Sequence, residues 1–279
     1  ELPKGTDVNS AVDKLKDDPN VEYAEPVYTR KSLGMANYES SPVVESVYCS
    51  EPFYTNGLQW GLEAINLEEM WKTVPEADRA DVTIAIIDTG VDIGHEELED
   101  CIVQGYDFVN NDDDADDDNG HGTLVAGIAA AAHDGKGIAG VAGGAKIMPV
   151  KVLDEKGRGN TVTVINGILY AVNNGADTIN LSLGSDRPSR AEEEAVQYAL
   201  DKGVTVIAAA GNEHRRDVLY PAAYDGAIAV GAVDWDGTEF IVANFSSVGP
   251  ELDLLAPGVD ILSTIPQELD NLENRVLAG

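Results

Sequence analysis

Short apolar runs that end in a polar residue or a glycine recur along most of the chain. Residues 84–87 form one such run and lead into Asp88, and residues 206–210 form another and lead into Gly211 and Asn212. Continuous apolar runs of this length are typical of parallel strands that are buried on both faces. Because ligands bind beyond the carboxyl ends of parallel strands, we expect Asp88 and Asn212 at one rim of a sheet.

Strand and helix patterns alternate from this first run to about residue 233. The patterns predict strands at 82–88, 146–153, 178–183, 204–210 and 227–233, and helices at 121–132, 162–174 and 189–202. Ser189 and Glu192 have the spacing of a capping box at the start of the last helix. This alternation indicates an α/β fold with a mostly parallel sheet that is covered by helices on both faces.

The first 28 residues have a pattern of their own. Apolar residues repeat at helical spacing at Val8, Ala11, Val12 and Leu15. These positions predict an amphipathic helix, and the alternation over residues 21–26 predicts an edge strand that ends at Pro26. The pattern divides the chain into a small α+β unit at 1–28, a linker at 29–50 and a main domain at 51–279.

Composition excludes some classes of partner. The chain has 279 residues, of which 18 are Lys or Arg and 50 are Asp or Glu, for a formal net charge of −32. A charge of this sign argues against nucleic acids and anionic membranes as partners and favours cations, although much of it is compatible with a solvated surface. No apolar run approaches the roughly 18 residues that a membrane span requires.

The clearest candidate for chemistry is His121, which lies between two glycines at the start of a run of small residues. Alone, such a histidine is compatible with a buried or helix-capping role. The Asp-Thr-Gly stretch at Asp88, the His-Gly-Thr stretch at His121 and the Ala-Ala-Gly-Asn stretch at Asn212 together resemble the subtilisin-like serine proteases, or subtilases. The resemblance runs from about residue 51 to 279 and implies a three-layer subtilisin-like fold.

The resemblance also implies roles for these residues in peptide-bond hydrolysis. His121 would be the general base, Asp88 would hold its tautomer, and Asn212 would donate a hydrogen bond to the oxyanion. The family's nucleophile lies in a Gly-Thr-Ser-Met-Ala stretch, and the last residues of this sequence resemble those before it. The serine is therefore expected beyond Gly279, either in the same chain or on a separate C-terminal fragment. The alternative is a non-catalytic binding protein with the same fold.

Two segments resemble those that clamp a peptide substrate as an added strand. The predicted substrate-binding residues are Gly157, Arg158, Gly159, Ser182, Leu183 and Gly184, with Ala209, Ala210 and Gly211 lining the primary pocket. Strand addition relies on main-chain hydrogen bonds, so it tolerates many sequences. Plain surface turns are the alternative interpretation of the glycine segments.

Residues 1–28 resemble the C-terminal half of a subtilase propeptide, which inhibits the enzyme by laying its tail through the active site. The alternative is a generic N-terminal subdomain. The resemblance implies processing between Tyr28 and Cys49, secretion to the medium or the cell surface, and two kinds of partner: protein or peptide substrates and the chain's own propeptide.

Seven of the twelve residues 107–118 are aspartates. Without a bound cation, so many neighbouring carboxylates would repel one another strongly. Their spacing is not that of an EF-hand, but the stretch resembles a calcium loop of thermitase-like subtilases. The predicted Ca²⁺ ligands there are Asp107, Asp112, Asp114 and Asp116. A solvated acidic loop is one alternative, and an unrelated calcium-binding interaction module is another.

A second calcium site is typical of the family and would use Glu51, Glu97 and Asp134 with carbonyls of the 132–138 loop. This site would bring Glu51 and Glu97 together. Cys49 and Cys101 lie close to them in sequence, which leads to the hypothesis of a Cys49–Cys101 disulfide.

Overall fold

The strand β2, Thr83–Asp88, lies in the middle of the main sheet of the computed structural model, which describes residues 7–33 and 49–266. Ala85 and Ile87 pack into one core cluster, and Ile86 between them packs into another on the opposite face. All three side chains are fully buried. Burial on both faces explains why this strand is apolar without alternation.

The main sheet has eight strands. Its order is β10 (Phe240–Val242), β9 (Ile228–Trp235), β8 (Thr205–Ala209), β6 (Thr178–Leu181), β2, β4 (Lys146–Lys151) and β3 (Tyr106–Asp107), with β11 (Leu254–Pro257) beside β9. Every pair is parallel except β9 with β10. The predicted parallel sheet is confirmed, and the strands end within a few residues of the predicted limits.

Helices cover both faces of this sheet. On one face lie α7 (Thr161–Asn173) and α8 (Arg190–Asp201), and on the other lies α6 (His121–Ala130). Short helical segments complete the main domain: α2 (Pro52–Thr55), α3 (Trp60–Ala64), α4 (Leu67–Thr73), α5 (Glu76–Arg79) and a 3₁₀ turn at Glu99–Cys101. The three-layer α/β architecture is the predicted one. Within the described ranges, no helix is long and apolar enough to cross a membrane.

The N-terminal unit differs from its prediction. The helix α1, Val8–Lys16, forms as expected and begins at Asp7, whose carboxylate accepts a hydrogen bond from the Ser10 amide at 2.8 Å. The predicted strand at 21–26 is wrong, because those residues make no strand pairing. The strand β1 is instead Thr29–Ser32, inside the predicted linker.

The strand β1 forms because two distant segments pair with it. It lies between β5 (Arg158–Asn160) and β7 (Leu183–Gly184), and both pairings are antiparallel. Its own sequence, Thr-Arg-Lys-Ser, has no apolar alternation. Tertiary pairing therefore creates this strand.

The Cys49–Cys101 disulfide is wrong, since both residues are thiols. Cys49 packs in a cluster with Tyr54 and Trp71, and its Sγ lies 2.8 Å from Glu51 Oε2. Cys101 packs against a different cluster beneath α6, and its Sγ lies 3.0 Å from the carbonyl of Leu98. Glu51 and Glu97 both contact the loop at 132–138. The cysteines that lie near them in sequence nevertheless pack in different clusters.

Thiol titration tests this assignment. We expect the protein, unfolded in denaturant without reductant, to give two reactive thiols per chain. The folded protein should react slowly, because Cys49 is buried and burial raises the pKa of the Cys101 thiol to about 11. Fewer than two thiols in the unfolded, unreduced protein would contradict the structure, and a reduced sample serves as the control.

Candidate active site

The carboxyl end of β2 and the start of α6 bring an acid and an imidazole into contact. His121 Nδ1 lies 2.7 Å from Asp88 Oδ1, and both side chains are buried. The helix approaches the strand closely at Gly122, where a Cβ atom would lie 1.9 Å from the carbonyl oxygen of Gly90. Glycine is therefore required at position 122 for the acid and the imidazole to meet.

Asp117 fastens the start of α6. Its Oδ2 accepts hydrogen bonds from the Thr123 amide at 2.9 Å and hydroxyl at 2.6 Å, and its Oδ1 accepts from the Gly120 amide at 2.9 Å. The hydroxyl of Thr89, next to Asp88, also donates to Oδ1 at 2.8 Å. A buried carboxylate thus stabilises the helix N-terminus and ties it to the strand that carries Asp88. Sequence reasoning missed this role, although an aspartate just before a helix is a recognised signal.

The electrostatics of His121 are set by burial and by Asp88. Burial alone would lower the pKa of the imidazole, but the charge and hydrogen bond of Asp88 outweigh it, and the pKa of His121 is raised to about 9. The other ring nitrogen, Nε2, lies 3.1 Å from the carbonyl oxygen of Leu33. An imidazolium can donate to both oxygens, so this arrangement favours the protonated ring at neutral pH.

Asn212 lies on the same rim, after the end of β8. It lines a cavity of about 460 Å³ together with His121 and Leu33. Gly211 before it has φ +115°, and a Cβ there would lie 2.7 Å from Leu219. The structure therefore brings Asp88, His121 and Asn212 to one edge of the sheet; their catalytic roles remain predictions.

The two predicted clamp segments flank a strand, and that strand belongs to the chain itself. In β1, Arg30 pairs with Gly159 and Lys31 pairs with both Arg158 and Gly184. At the start of β1, Thr29 pairs with Asn160. Pairing on both edges holds the N-terminal segment by its main chain.

The last contacts of this segment lead directly to His121. The Ser32 amide donates to the carbonyl of Gly157 at 3.0 Å, and the Leu33 amide donates to the carbonyl of Ser182 at 3.2 Å. Gly157 has φ +65°, a conformation that favours glycine, and a Cβ there would lie 2.4 Å from Ser32 Oγ. The Leu33 carbonyl is thereby held at the imidazole.

Two of the three residues predicted to line the primary pocket lie at the cavity beside His121. Ala209 and Gly211 line the cavity that also contains Leu33, which is 7% exposed. Ala210 is wrong as a lining residue, because it is fully buried in the core behind the cavity wall. Side chains alternate along an extended segment, which places Ala210 on the opposite side from its neighbours.

A second contact fixes the N-terminal unit to α8. Glu25 accepts hydrogen bonds from the Ser189 hydroxyl at 2.6 Å and from the amides of Arg190 at 2.9 Å and Ala191 at 3.2 Å. The guanidinium of Arg190 lies over the ring of Tyr23, 4.2 Å from its centroid. A carboxylate from the N-terminal segment therefore caps this helix, a position that satisfies its unpaired amides and its dipole.

Among the described residues, the four aspartates predicted to bind calcium in the acidic loop do not form a cluster of carboxylates, although Asp107 and Asp112 pair through their main chains. Asp107 turns inward and accepts from the amides of Val109 and Asn110, while Asp116 accepts from the amide of Ile93 at 3.2 Å. Asp112 and Asp114 are exposed. Over residues 7–33 and 49–266, no group of three or more acidic, histidine or cysteine side chains is placed to hold a metal.

The second predicted metal site is arranged differently. Glu51 is fully buried and accepts from the Gly135 amide at 2.9 Å, and Glu97 accepts from the Ile138 amide at 3.3 Å. Both carboxylates therefore contact the loop at 132–138. Asp134 is not joined to them by a hydrogen bond; its carboxylate pairs with Lys136 at 2.8 Å.

The comparisons with known proteins agree with this geometry. Residues 79–277 match the Peptidase S8 subtilase family. That match covers more than half of the sequence, and the chain belongs to the subtilase family. The predicted family and the predicted fold are therefore confirmed.

Named relatives include a thermophilic serine proteinase and a thermitase. The chain is 41% identical over 259 residues to the thermophilic serine proteinase of Bacillus sp. (strain AK1), covering 92% of this chain and 60% of that protein. It is 42% identical over 218 residues to thermitase of Thermoactinomyces vulgaris, covering 78% of this chain and 76% of that protein.

A solved structure with the same fold is that of fervidolysin from Fervidobacterium pennivorans, described as a keratinolytic enzyme related to subtilisin. It superposes with a TM-score of 0.80 at 33% identity and covers 92% of this chain and 42% of that chain. The sequence thus spans less than two thirds of the fervidolysin chain and of the AK1 proteinase.

Substitution of Asp88 tests the electrostatics of the site. We expect Asp88→Asn to lower the pKa of His121 well below 9, since the charge and hydrogen bond of Asp88 are the largest contributions that oppose burial. The measurement is an NMR titration of the imidazole nitrogens, with the His121 signal assigned by its loss in His121→Gln. Asp113→Asn, in the exposed acidic loop, is the matched control. A His121 pKa that stays near 9 in Asp88→Asn would refute this account.

Proposed function

We propose that the protein is a serine endopeptidase in which Asp88 and His121 are two members of the catalytic triad. The observation that carries this proposal is an extended peptide whose carbonyl, at Leu33, lies 3.1 Å from Nε2 of a histidine held by a buried aspartate. A general base needs this placement beside a peptide bond, with its second nitrogen oriented by an acceptor.

The chemistry follows from these positions. Unprotonated His121 takes the proton from the serine hydroxyl as the serine oxygen attacks the peptide carbonyl carbon, and Asp88 stabilises the imidazolium that results. The side-chain amide of Asn212 donates a hydrogen bond to the oxyanion. The imidazolium then gives its proton to the leaving amine as the C–N bond breaks. Water, activated by the same histidine, releases the acyl group from the serine.

The proposed nucleophile lies beyond Gly279, either in the same chain or on a separate C-terminal fragment. Apolar residues of α6 and of the central strands line the inner part of the 460 Å³ cavity beside His121: Leu124, Ile128, Ile84, Ile207 and Val230. We propose that the helical segment that carries the serine packs against this apolar wall. Such packing would place the serine beside the imidazole. It would also bury the apolar surface of this wall, which would stabilise the helical segment.

The N-terminal unit is proposed to be an inhibitory propeptide that occupies the substrate cleft through β1. The bond that follows Leu33 is the proposed processing bond, because the Leu33 carbonyl is the one at His121. With the pKa of His121 raised to about 9, the ring in this bound state is an acid at neutral pH and a poor base. Processing therefore proceeds through the unprotonated fraction of His121, and occupancy of the cleft by β1 is what inhibits the complex.

The test uses the full-length protein, including the residues after Gly279. We expect a fluorophosphonate to label one serine, and we expect N-terminal sequencing to find Gly34 as a new terminus. His121→Ala should abolish processing and reduce cleavage of a peptide anilide by several orders of magnitude. Glu193→Gln, a change on the exposed side of α8, should leave both unchanged. Absence of labelling and processing in the wild-type protein would favour the non-catalytic alternative.

We also propose that calcium binds between Glu51, Glu97 and the 132–138 loop. Burial raises the pKa of Glu97, and among the described residues neither carboxylate forms an ion pair with a lysine or arginine. A Cβ at Gly137 would lie 2.2 Å from Glu97 Oε1, so the loop main chain approaches this carboxylate closely. Oxygen donors in an irregular loop suit Ca²⁺. When bound, the ion would neutralise two buried negative charges.

Calcium removal should lower thermal stability. At 100 times its Kd, a bound ion stabilises the fold by about 2.7 kcal/mol, which corresponds to a Tm increase of several degrees. We expect Glu97→Gln to reduce the affinity for Ca²⁺, measured by calorimetry. It should also reduce the difference in Tm between samples with calcium and samples with EDTA. Asp114→Asn, in the exposed acidic loop, is the matched control. Loss of affinity in Asp114→Asn but not in Glu97→Gln would transfer the site to the acidic loop.

Secretion to the medium or the cell surface is proposed on the strength of the inhibitory N-terminal unit. Relatives include both a minor extracellular protease and a major intracellular serine protease of Bacillus subtilis (strain 168). Immunodetection of the native protein in cell-free medium and in cell lysate would decide between the two locations.

A further inference from the structure

An arginine side chain of β1 is completely buried. Arg30 is 0% exposed, and so is Glu192 of α8, its partner. Nε donates to Glu192 Oε1 at 2.9 Å, and Nη2 donates to Oε2 at 2.6 Å. Two parallel hydrogen bonds of this kind match the planar fork of a guanidinium and the geometry of a carboxylate.

Other groups in the pocket also form hydrogen bonds with Arg30 and Glu192. Nη2 of Arg30 also donates to the carbonyl of Arg187 at 3.1 Å. The hydroxyl of Tyr224 lies 2.9 Å from Glu192 Oε2 and accepts from the Ser189 amide at 2.8 Å. Glu192 had the sequence position of a capping-box residue, but its carboxylate faces this pocket, and Ser189 alone caps the helix from within. The carboxylate is thus held in place by a tyrosine whether or not an arginine is bound.

The position of Arg30 relative to His121 indicates which residue of a bound peptide this pocket holds. Leu33 presents its carbonyl to the imidazole, so Arg30 is the fourth residue on the amino side of the bond that follows Leu33. Along this segment Arg30 and Leu33 are buried, whereas Thr29 is exposed and Lys31 makes a surface ion pair with Glu213. Surface pairs of that kind contribute little. Of these side chains, those of Arg30 and Leu33 are buried, whereas that of Ser32 is half-buried.

We propose that Glu192 is a specificity-determining residue that selects arginine at the fourth position on the amino side of the cleaved bond in peptide substrates. The inference rests on the proposed endopeptidase function, and it extends the pairing in the chain's own N-terminal segment to substrates that follow the same path. A neutral side chain at this position would leave a buried carboxylate without a cation, which is costly. A lysine would supply the charge without the bidentate geometry.

The first test measures selectivity. The full-length, processed protease is given peptide anilides of the sequence Thr-Xaa-Lys-Ser-Leu with Xaa as Arg, Lys, Gln, Ala or Leu. We expect kcat/KM for Arg to exceed that for Ala by on the order of 100-fold, with Lys intermediate. Glu192→Gln should reduce this ratio strongly, and Glu192→Leu should make Leu the preferred residue. Glu193→Gln, an exposed change on the same helix, should leave the ratio as in the wild type.

The second test needs no catalysis. Hydrogen exchange of the 279-residue chain reports how firmly residues 29–33 are held in the cleft. We expect Arg30→Ala and Glu192→Leu each to accelerate exchange there, and Arg30→Leu combined with Glu192→Leu to restore much of the protection. Lys31→Ala should change exchange little, because its ion pair is exposed. The double variant separates loss of the pair from simple misfolding of α8.

The two tests separate the inference from the function on which it rests. An active protease with equal kcat/KM for Arg and Ala would overturn the inference and leave the endopeptidase function in place. No cleavage of any peptide would overturn the function and with it the substrate rule, even where the exchange results show that the Arg30–Glu192 pair holds the N-terminal strand. Arginine preference that disappears in Glu192→Gln but persists in Glu193→Gln supports the proposal.

Discussion

The buried hydrogen bond between Asp88 and His121 is the constraint on which the site depends. It joins the end of a central strand to the first residue of a helix, so both elements must be placed to within a few tenths of an ångström. Asp117 secures the helix side of this junction and reaches the strand side through Thr89. The sheet order and the covering helices serve to keep these groups in register while excluding water from around them.

The strand β1 makes two kinds of contact with the segments around it. The main chain of β1 pairs on both edges, which any extended peptide without proline can do. The side chains of Arg30 and Leu33 add contacts that depend on residue type. The main-chain pairing is therefore common to all extended peptides, whereas the buried Arg30–Glu192 pair strengthens binding only of a peptide that carries arginine at this position.

Much of the fold and the rim of the site could be predicted from the sequence. Strands such as β2 and β8 are continuous apolar runs, and Asp88, His121 and Asn212 follow or precede such elements at glycine-marked turns. The strand β1 could not be predicted, because its polar sequence becomes a strand only between two partners more than a hundred residues away. Glu192 was misassigned for the same reason, since its partner Arg30 is distant in sequence. Ala210 and the two cysteines depend on side-chain direction, which the order of residues along the chain did not settle.

On the proposal that the N-terminal unit is an inhibitory propeptide processed after Leu33, the contact between Glu25 and the start of α8 has a consequence for the timing of its release. While Leu33 and Cys49 belong to one continuous chain, the N-terminal unit competes for the cleft as an intramolecular ligand, at an effective concentration that short connections raise to the order of millimolar. Once that connection is cut, the same contacts must hold the unit as a separate molecule whose occupancy falls on dilution. The cap on α8 and the strand in the cleft then act as two sites of one bivalent ligand, so loss of either one lowers occupancy of both.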